Sequence, residues 1–489
     1  MAGWPLPLGT LQAGFGSVLE TRVGPAGVVA DLMSRARQAQ RAVRRYTQAQ
    51  ANEMVTAVAW ACYKRENAER LARLAVEDTG LGRYEDKVVK NQRKTFGTLR
   101  DLLDPGAISV GVIREDRELG LTLIAKPVGV VAAVVPSTNP SATPINKTMM
   151  IVKGLNATIL APSPKGAKTC ELVVELVHDE LRKIGAPLDL VQMLPPPISK
   201  DLTNELMHQA DLVVVTGSQN NVRAAYSSGT PAIGVGAGNT PAIIDIDADL
   251  DDAAAKIKAS KCFDYATSCS SENSVLIPSA RYDAMLSALR RQGGYLLDSL
   301  QKAQLQAAMF HDGKLDQRIV AQSPERIASF AGFRDPKARD AEFFMVEETG
   351  VGDDFPFSGE KLSVVLTVYR YDTFDDAVDL ARRILQYSGM GHSVALHSHT
   401  AAHAERLAHE MDVVRVLVNQ PHCFNNGGGF DNGLNFTLTM GCGSWAKNSI
   451  SENLSYKHFL NTTHLVREIP ERKPTEEQLF GAYWSKVGK

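Results

Sequence analysis

The sequence predicts an α/β protein with two buried parallel sheets, a Rossmann-type cofactor domain followed by an α/β catalytic domain. Two observations carry this expectation. Apolar runs of four to seven residues alternate with segments of helical period, the mark of βαβ units whose strands are covered on both faces. The alternation then restarts near Pro241, which makes a second domain.

Residues 1–25 are punctuated by Gly and Pro and read as an extension; TLQAGFGSVLETRVGPAG also fits a short amphipathic helix and linker. From about 28 to 101 the pattern is helical, with Val55, Val58, Ala59 and Cys62 at helix spacing and Lys and Arg on the other faces. The period then shortens. LTLIAKP and GVVAAVVP (121–136), ATILAP (157–162), LVQML (190–194) and DLVVVTG (211–217) have strand length, with helical segments at 167–184 and 201–209 between them. An open sheet of this kind takes its ligand at the carboxyl ends of its strands. In the second stretch AIIDIDAD, NSVLIP, LSVVLTVY, HSVALHS and VRVLVNQ read as strands, with helices at 251–261, 280–291 and 374–386. The Gly-rich segment 426–445 carries the chain back across the junction. The expected division is an extension (1–25), a cofactor-binding domain (26–242, with a bridging and oligomerisation return segment over about 430–489) and a catalytic domain (243–429).

Composition narrows the function. Of 489 residues, 44% are hydrophobic and 22% charged, and the formal net charge is -2, so no nucleic-acid or membrane partner is implied. No apolar run reaches the ~18 residues of a membrane span. The six cysteines form no CxxC pair, so neither a metal site nor a disulfide framework is expected, and reduced thiols in a cytoplasm follow.

Cys269 lies in KCFDYATSCSSENSVLI among small polar residues just before a strand, a setting in which a thiol can be accessible and activated. Alone, it also reads as a packed small hydrophobe. Asn139, in VVPSTNPSATP, follows a strand between two prolines and could donate to an oxyanion or simply make an Asx-turn. TGSQNN (216–221) follows DLVVV and opens a helix, where backbone N–H groups suit a pyrophosphate. In AIGVGAGNTP, glycines at 234, 236 and 238 allow either close ligand approach or a tight domain connection.

VGVVAAVVPSTNP, AAYSSGTPAIGVGAGNTP, FDYATSCSSENS, GEKLSVVL, GMGHS and GCGSWAKNSISEN occur in this order over about residues 28–465. Together they resemble the CoA-acylating branch of the aldehyde dehydrogenase superfamily, whose members act on acetaldehyde, propionaldehyde, succinate semialdehyde or sulfoacetaldehyde. The resemblance implies that Cys269 is the nucleophile and Asn139 the oxyanion-hole amide. It implies a phosphate-facing turn at Thr216, Gly217, Ser218, Gln219, Asn220 and Asn221, and a ribose-holding carboxylate in Glu360. His392 matches a histidine implicated in proton transfer, and equally reads as a structural histidine. Hydrolytic relatives carry a water-activating Glu where this chain has Val235, so the thioester awaits a thiol nucleophile, coenzyme A, rather than water.

Cofactor and substrate choice follow from two further stretches. In LAPSPKGAK no carboxylate sits at 163 or 164, and Lys165 and Lys168 follow, which favours NADP over NAD. Thr138, Thr267, Ser268, His422 and Asn425 make a polar substrate pocket, pointing to an anionic aldehyde: sulfoacetaldehyde first, succinate semialdehyde next, acetaldehyde or propionaldehyde after. A homo-oligomer, dimer or tetramer, is expected.

Overall fold

The computed structural model describes residues 24–489. The expected extension therefore lies almost wholly outside the described residues, and its last position, Pro25, already opens the first helix. Four helices lead: α1 (Pro25–Val43), α2 (Gln48–Tyr63), α3 (Arg65–Thr79) and α4 (Tyr84–Leu103). Proline suits the first position of α1 because its missing N–H has no intrahelical acceptor there. A capping box of Thr47 and Gln50 starts α2. Val55, Val58, Ala59 and Cys62 are all buried, as their spacing predicts.

An antiparallel pair follows, β1 (Gly111–Asp116) and β2 (Leu121–Pro127). The cofactor domain then runs β3 (Val130–Val135), α5 (Ala142–Lys153), β4 (Ala157–Pro162), α6 (Ala167–Lys183), β5 (Val191–Met193), α7 (Lys200–Gln209), β6 (Leu212–Val215), α8 (Gln219–Tyr226) and β7 (Ala232–Gly234). Its five strands are parallel in the order β5-β4-β3-β6-β7. Every residue of β3, β4 and β6 is buried, which is why these strands read as unbroken apolar runs. Strand order reverses about β3, so the loops leaving β3 and β6 diverge and open a crevice at their carboxyl ends.

The catalytic domain comprises β8 (Thr240–Ile244), α9 (Leu250–Cys262), β9 (Glu272–Pro278), α10 (Tyr282–Arg291), β10 (Gly294–Leu296), α11 (Ser299–Met309), the hairpin β11 (Phe310–His311) and β12 (Lys314–Leu315), α12 (Pro324–Ala331), α13 (Pro336–Arg339), β13 (Phe343–Glu347), β14 (Val365–Tyr371), α14 (Phe374–Tyr387), β15 (Gly391–His397), α15 (Ala401–Glu410), β16 (Val413–Val418) and α16 (His422–Asn425). Seven of its strands form a second parallel sheet, β10-β13-β14-β9-β8-β15-β16. The chain returns through β17 (Leu460–Val466) to α17 (Glu476–Val487).

Two expectations change. LTLIAKP is not part of the parallel sheet: β2 is the middle strand of an antiparallel arm, β1-β2-β17. The division at 242 falls inside β8, because Thr240 already pairs with the catalytic sheet. In the return segment, Leu454, Tyr456 and Phe459 enter the same core as α1, α2 and β3. Among the described residues no helix is long and apolar enough to cross a membrane.

The return segment also locks α4. Gly97 lies against the Phe436 ring, and a Cβ there would overlap ring atoms. In an exposed helix, Gly97→Ala would stabilise by about 1 kcal/mol. Here overpacking costs about 1–3 kcal/mol. Gly97→Ala is therefore expected to lower the thermal midpoint, and a raised midpoint would show that Phe436 can move aside.

Candidate active site

The site lies where the carboxyl ends of the cofactor-domain strands meet the amino ends of the catalytic-domain strands: Asn139 follows β3, whereas Gly238 and Cys269 precede β8 and β9. Cys269 occupies the loop between a 3-10 turn (Phe263–Ala266) and β9, and its thiol is free. The crossing between β7 and β8 presses on this loop: a Cβ at Gly238 would strike the Cys269 carbonyl. No larger residue fits there, which is what the glycine spacing in VGAGN provides. The Gly238 N–H donates to the Glu360 carboxylate at 3.1 Å. Burial, then the nearby Glu360, pushes the Cys269 thiol above the ordinary cysteine range, with Arg415 opposing. Burial raises the Glu360 carboxyl itself to about 8, against the pull of the Gly238 N–H, Lys261 and Lys361. Burial thus favours the protonated form of the thiol at rest.

Asn139 sits in the loop leaving β3. Its Oδ1 accepts from Lys90 Nζ at 2.8 Å, and its Nδ2 has only a long 3.5 Å contact with Thr138 Oγ1. Thr267 accepts from Lys90 at 2.7 Å and donates to Asp264 at 2.8 Å. Lys87 donates to Asp264 at 3.1 Å and faces the Thr138 carbonyl at 3.5 Å. Asp264, Tyr265 and Ala266 all adopt positive φ, at 50°, 49° and 58°. Such backbone costs about 1–3 kcal/mol per residue and persists only where neighbours impose it. The Asp264 carboxylate imposes it here, accepting from the Arg83 N–H as well as from both lysines, while the Asp264 N–H donates to Asp86. Burial disfavours this carboxylate, but Lys90 and Lys87 prevail and hold it below the usual range.

Sequence reasoning missed Lys87, Lys90 and Asp264. The two lysines are three apart on α4 among buried neighbours, a signal that was available; nothing local marks Asp264. It also missed Arg415, buried and donating to the His392 and Gly441 carbonyls at 3.0 and 2.9 Å.

The other expected residues divide. Thr138, Asn139, Thr267 and Cys269 come together, and Ser268 Oγ accepts the Ser270 N–H in the same loop. His422 does not offer the donor expected of it. It is fully buried, its Nδ1 donates to the Ser270 carbonyl at 2.8 Å, and burial drops its pKa to about 3, so the ring is neutral with an accepting Nε2. Asn425 is likewise corrected: both Nδ2 protons go to Gln420 and Asp431, closing the loop on itself. His392 is fully buried on β15, bonded through Nδ1 to Ser393 Oγ at 2.6 Å, with no partner for Nε2. Burial, Arg415 and His422 keep its ring neutral.

On the cofactor side, Gly217 takes a φ of 155° that admits little besides glycine, and Ser218 caps α8 through the Asn221 N–H. Among the described residues the Gln219 and Asn220 N–H groups have no protein acceptor, and they open onto the crevice edge as an anion cradle. Thr216 Oγ1 bonds Thr439 at 2.7 Å and ties this turn to the return segment. Lys165 and Lys168 stand exposed after β4, without an ion pair among the described residues. These groups fit a dinucleotide laid across the switch point.

Residues 18–433 match the aldehyde dehydrogenase family. A sulfoacetaldehyde dehydrogenase (acylating) of Cupriavidus necator is 52% identical over 99% of this chain and 97% of its own. The chain belongs to the aldehyde dehydrogenase family. A succinate-semialdehyde dehydrogenase (acetylating) of Clostridium kluyveri is 38% identical over 93% of this chain and 99% of its own. The crystal structure of an acetylating aldehyde dehydrogenase from Geobacillus thermoglucosidasius superposes with a TM-score of 0.88 at 34% identity, covering 92% of this chain and 98% of that one. The recognition made from the motifs thus holds, as does the α/β fold with its cofactor and catalytic sheets.

The electrostatics of this aldehyde dehydrogenase make a checkable prediction. Ionised Glu360 disfavours the Cys269 thiolate, so Glu360→Gln should lower the thiol pKa and speed alkylation by iodoacetamide. Because Glu360 ionises near pH 8, the ratio of variant to parent rates should stay near one at pH 6.5 and rise to roughly threefold or more at pH 9. A ratio independent of pH would separate the two groups.

Proposed function

We propose that the protein is a CoA-acylating aldehyde dehydrogenase that oxidises an anionic aldehyde, sulfoacetaldehyde, to its acyl-CoA. The observation that carries this reading is that one ammonium, Lys90, bonds both the Asn139 amide oxygen and Thr267, two positions before Cys269, beside a crossing where Val235 is buried and offers no base to activate water. The Cys269 thiol releases its proton to solvent and attacks the aldehyde carbon as the thiolate, and Asn139 Nδ2 with a backbone N–H takes the developing oxyanion. Collapse expels hydride, which the nicotinamide cofactor accepts when bound, and leaves a thioester on Cys269. The coenzyme A thiolate then attacks the same carbon, Asn139 again holds the oxyanion, and the Cys269 thiolate leaves. His392, neutral and with a free Nε2, is our candidate for taking the coenzyme A proton. Glu360 is assigned to the nicotinamide ribose, and the N–H groups of Gln219 and Asn220 to the pyrophosphate.

Charge supports the choice of substrate. Lys87 and Lys90 share the single Asp264 carboxylate beside Thr138 and Thr267, so this patch keeps a positive charge in excess, which favours a sulfonate or carboxylate tail. The likeness to the Cupriavidus enzyme points to the sulfonate. NADP is the assigned cofactor because Lys165 and Lys168 stand free where a ribose-holding acid would sit. We assign a homo-oligomer to the antiparallel arm, where β17 is exposed and Val112, Leu465 and Val466 leave apolar surface open, with the cytoplasm as its setting.

An anionic tail beside this patch gains charge-assisted hydrogen bonds that a neutral aldehyde cannot form. Sulfoacetaldehyde should therefore exceed propionaldehyde in kcat/KM by roughly ten- to a hundredfold, with sustained turnover only when coenzyme A is present. The check is reduced-cofactor absorbance over an aldehyde panel with and without coenzyme A; propionaldehyde as best substrate would sink the anionic reading, and full turnover without coenzyme A the acylating one. Lys165→Glu should raise KM for NADP roughly tenfold and leave NAD within about twofold. Equal effects on both cofactors would place Lys165 away from the 2′-phosphate.

A further inference from the structure

We infer that Lys90 is a positioning residue for the reaction: it fixes the Asn139 amide with Nδ2 turned toward the reacting carbonyl at Cys269, and Asp264 fixes Lys90. The inference rests on Asn139 being the oxyanion donor. An ammonium has three N–H donors and no lone pair. The Lys90 protons go to Asn139 Oδ1 at 2.8 Å, Thr267 Oγ1 at 2.7 Å and Asp264 Oδ2 at 2.5 Å. A half-turn of the amide would set its NH2 against that ammonium, donor against donor. Only one orientation survives, and it commits Nδ2 to the opposite side, where its contact with Thr138 is 3.5 Å and leaves a proton to give.

The same ammonium bonds Thr267, two positions before the nucleophile. One charged atom therefore ties the loop that carries the amide to the catalytic side, while the Cys269 backbone itself is held by the Gly238 crossing. Asp264 completes the device. Its carboxylate accepts from Arg83 N–H, Lys87, Lys90 and Thr267, so it is saturated and cannot swing away. A cation beside Oδ1 also polarises the amide and strengthens Nδ2 as a donor.

The test compares Lys90→Met, Asn139→Ala and the double variant by the single-turnover rate of cofactor reduction with sulfoacetaldehyde and NADP, and with NAD in parallel. Asn139→Ala should slow acylation by about 10²–10³. Lys90→Met should slow it by roughly ten- to a hundredfold. The double variant should be no slower than Asn139→Ala within about twofold, because Lys90 acts through the amide. A purely structural Lys90 would instead multiply the two losses. Iodoacetamide alkylation of Cys269 should stay near the parental rate in Lys90→Met, showing an intact nucleophile. If that variant does not fold, Lys90→Gln keeps a polar head, one atom shorter, that can pair with the amide either way round and so frees it to turn, and the same cycle applies. A near-parental rate in a folded Lys90 variant, or multiplied losses in the double, would overturn the inference. An unchanged rate in Asn139→Ala would overturn the oxyanion reading beneath it.

Discussion

The site depends on one desolvated carboxylate. Asp264 is wholly buried, and a charge taken out of water is tolerated only where partners fill its lone pairs. Three of its donors, the Arg83 N–H, Lys87 and Lys90, come from α4 and its cap on the cofactor side, while Asp264 and its fourth donor, Thr267, belong to the catalytic side. Satisfying Asp264 and docking the two domains are therefore the same event. Gly82 packs so close to the carboxylate that any side chain there would displace it, so the chain's path into α4 is set by the same group. The strained backbone over 264–266 then follows as a consequence, held by bonds that also align Thr267 and the amide.

Much of the fold was legible because buried parallel strands write themselves plainly. Those of β3, β4, β6, β8, β9 and β15 are buried along their whole length, and each has an apolar stretch that marks it in the sequence. The arm was not. GVIRED and LNTTHLV are largely solvent-facing, so neither carries an apolar period to detect. LTLIAKP was seen as a strand, yet an apolar run carries no record of which sheet it joins, and its partners lie on either side of a long interval of chain. The domain boundary missed by a few residues for a related reason: the glycine-rich crossing is shorter than its motif, and β8 pairs as soon as it ends.

For the site, residues that sit in a local motif can be singled out from the sequence, and residues whose surroundings come from a distant partner cannot. Cys269, Asn139 and Glu360 sit in recognisable segments. Lys90 and Asp264 are polar residues in ordinary surroundings until the fold brings them together. His422 and Asn425 show the converse. A loop rich in donors looks like a binding wall, but whether those donors face a ligand or the loop's own carbonyls is decided by packing, and here they close the loop.

The antiparallel arm has a consequence for how the chain is made. Synthesis proceeds from the amino end, and domains tend to fold as they emerge. β2 leaves the ribosome early, yet the strand that covers its far edge, β17, follows only after the whole catalytic domain. Leu454, Tyr456 and Phe459, which finish the first core, arrive equally late. Until then the nascent protein carries an apolar strand with one unpaired edge, the surface on which chains associate wrongly. The closing pairings also have high sequence separation, so they form last and slowly. The final residues thus act as a latch on a domain begun hundreds of residues earlier, and a chain truncated before β17 would display an open edge to chaperones and to its own copies.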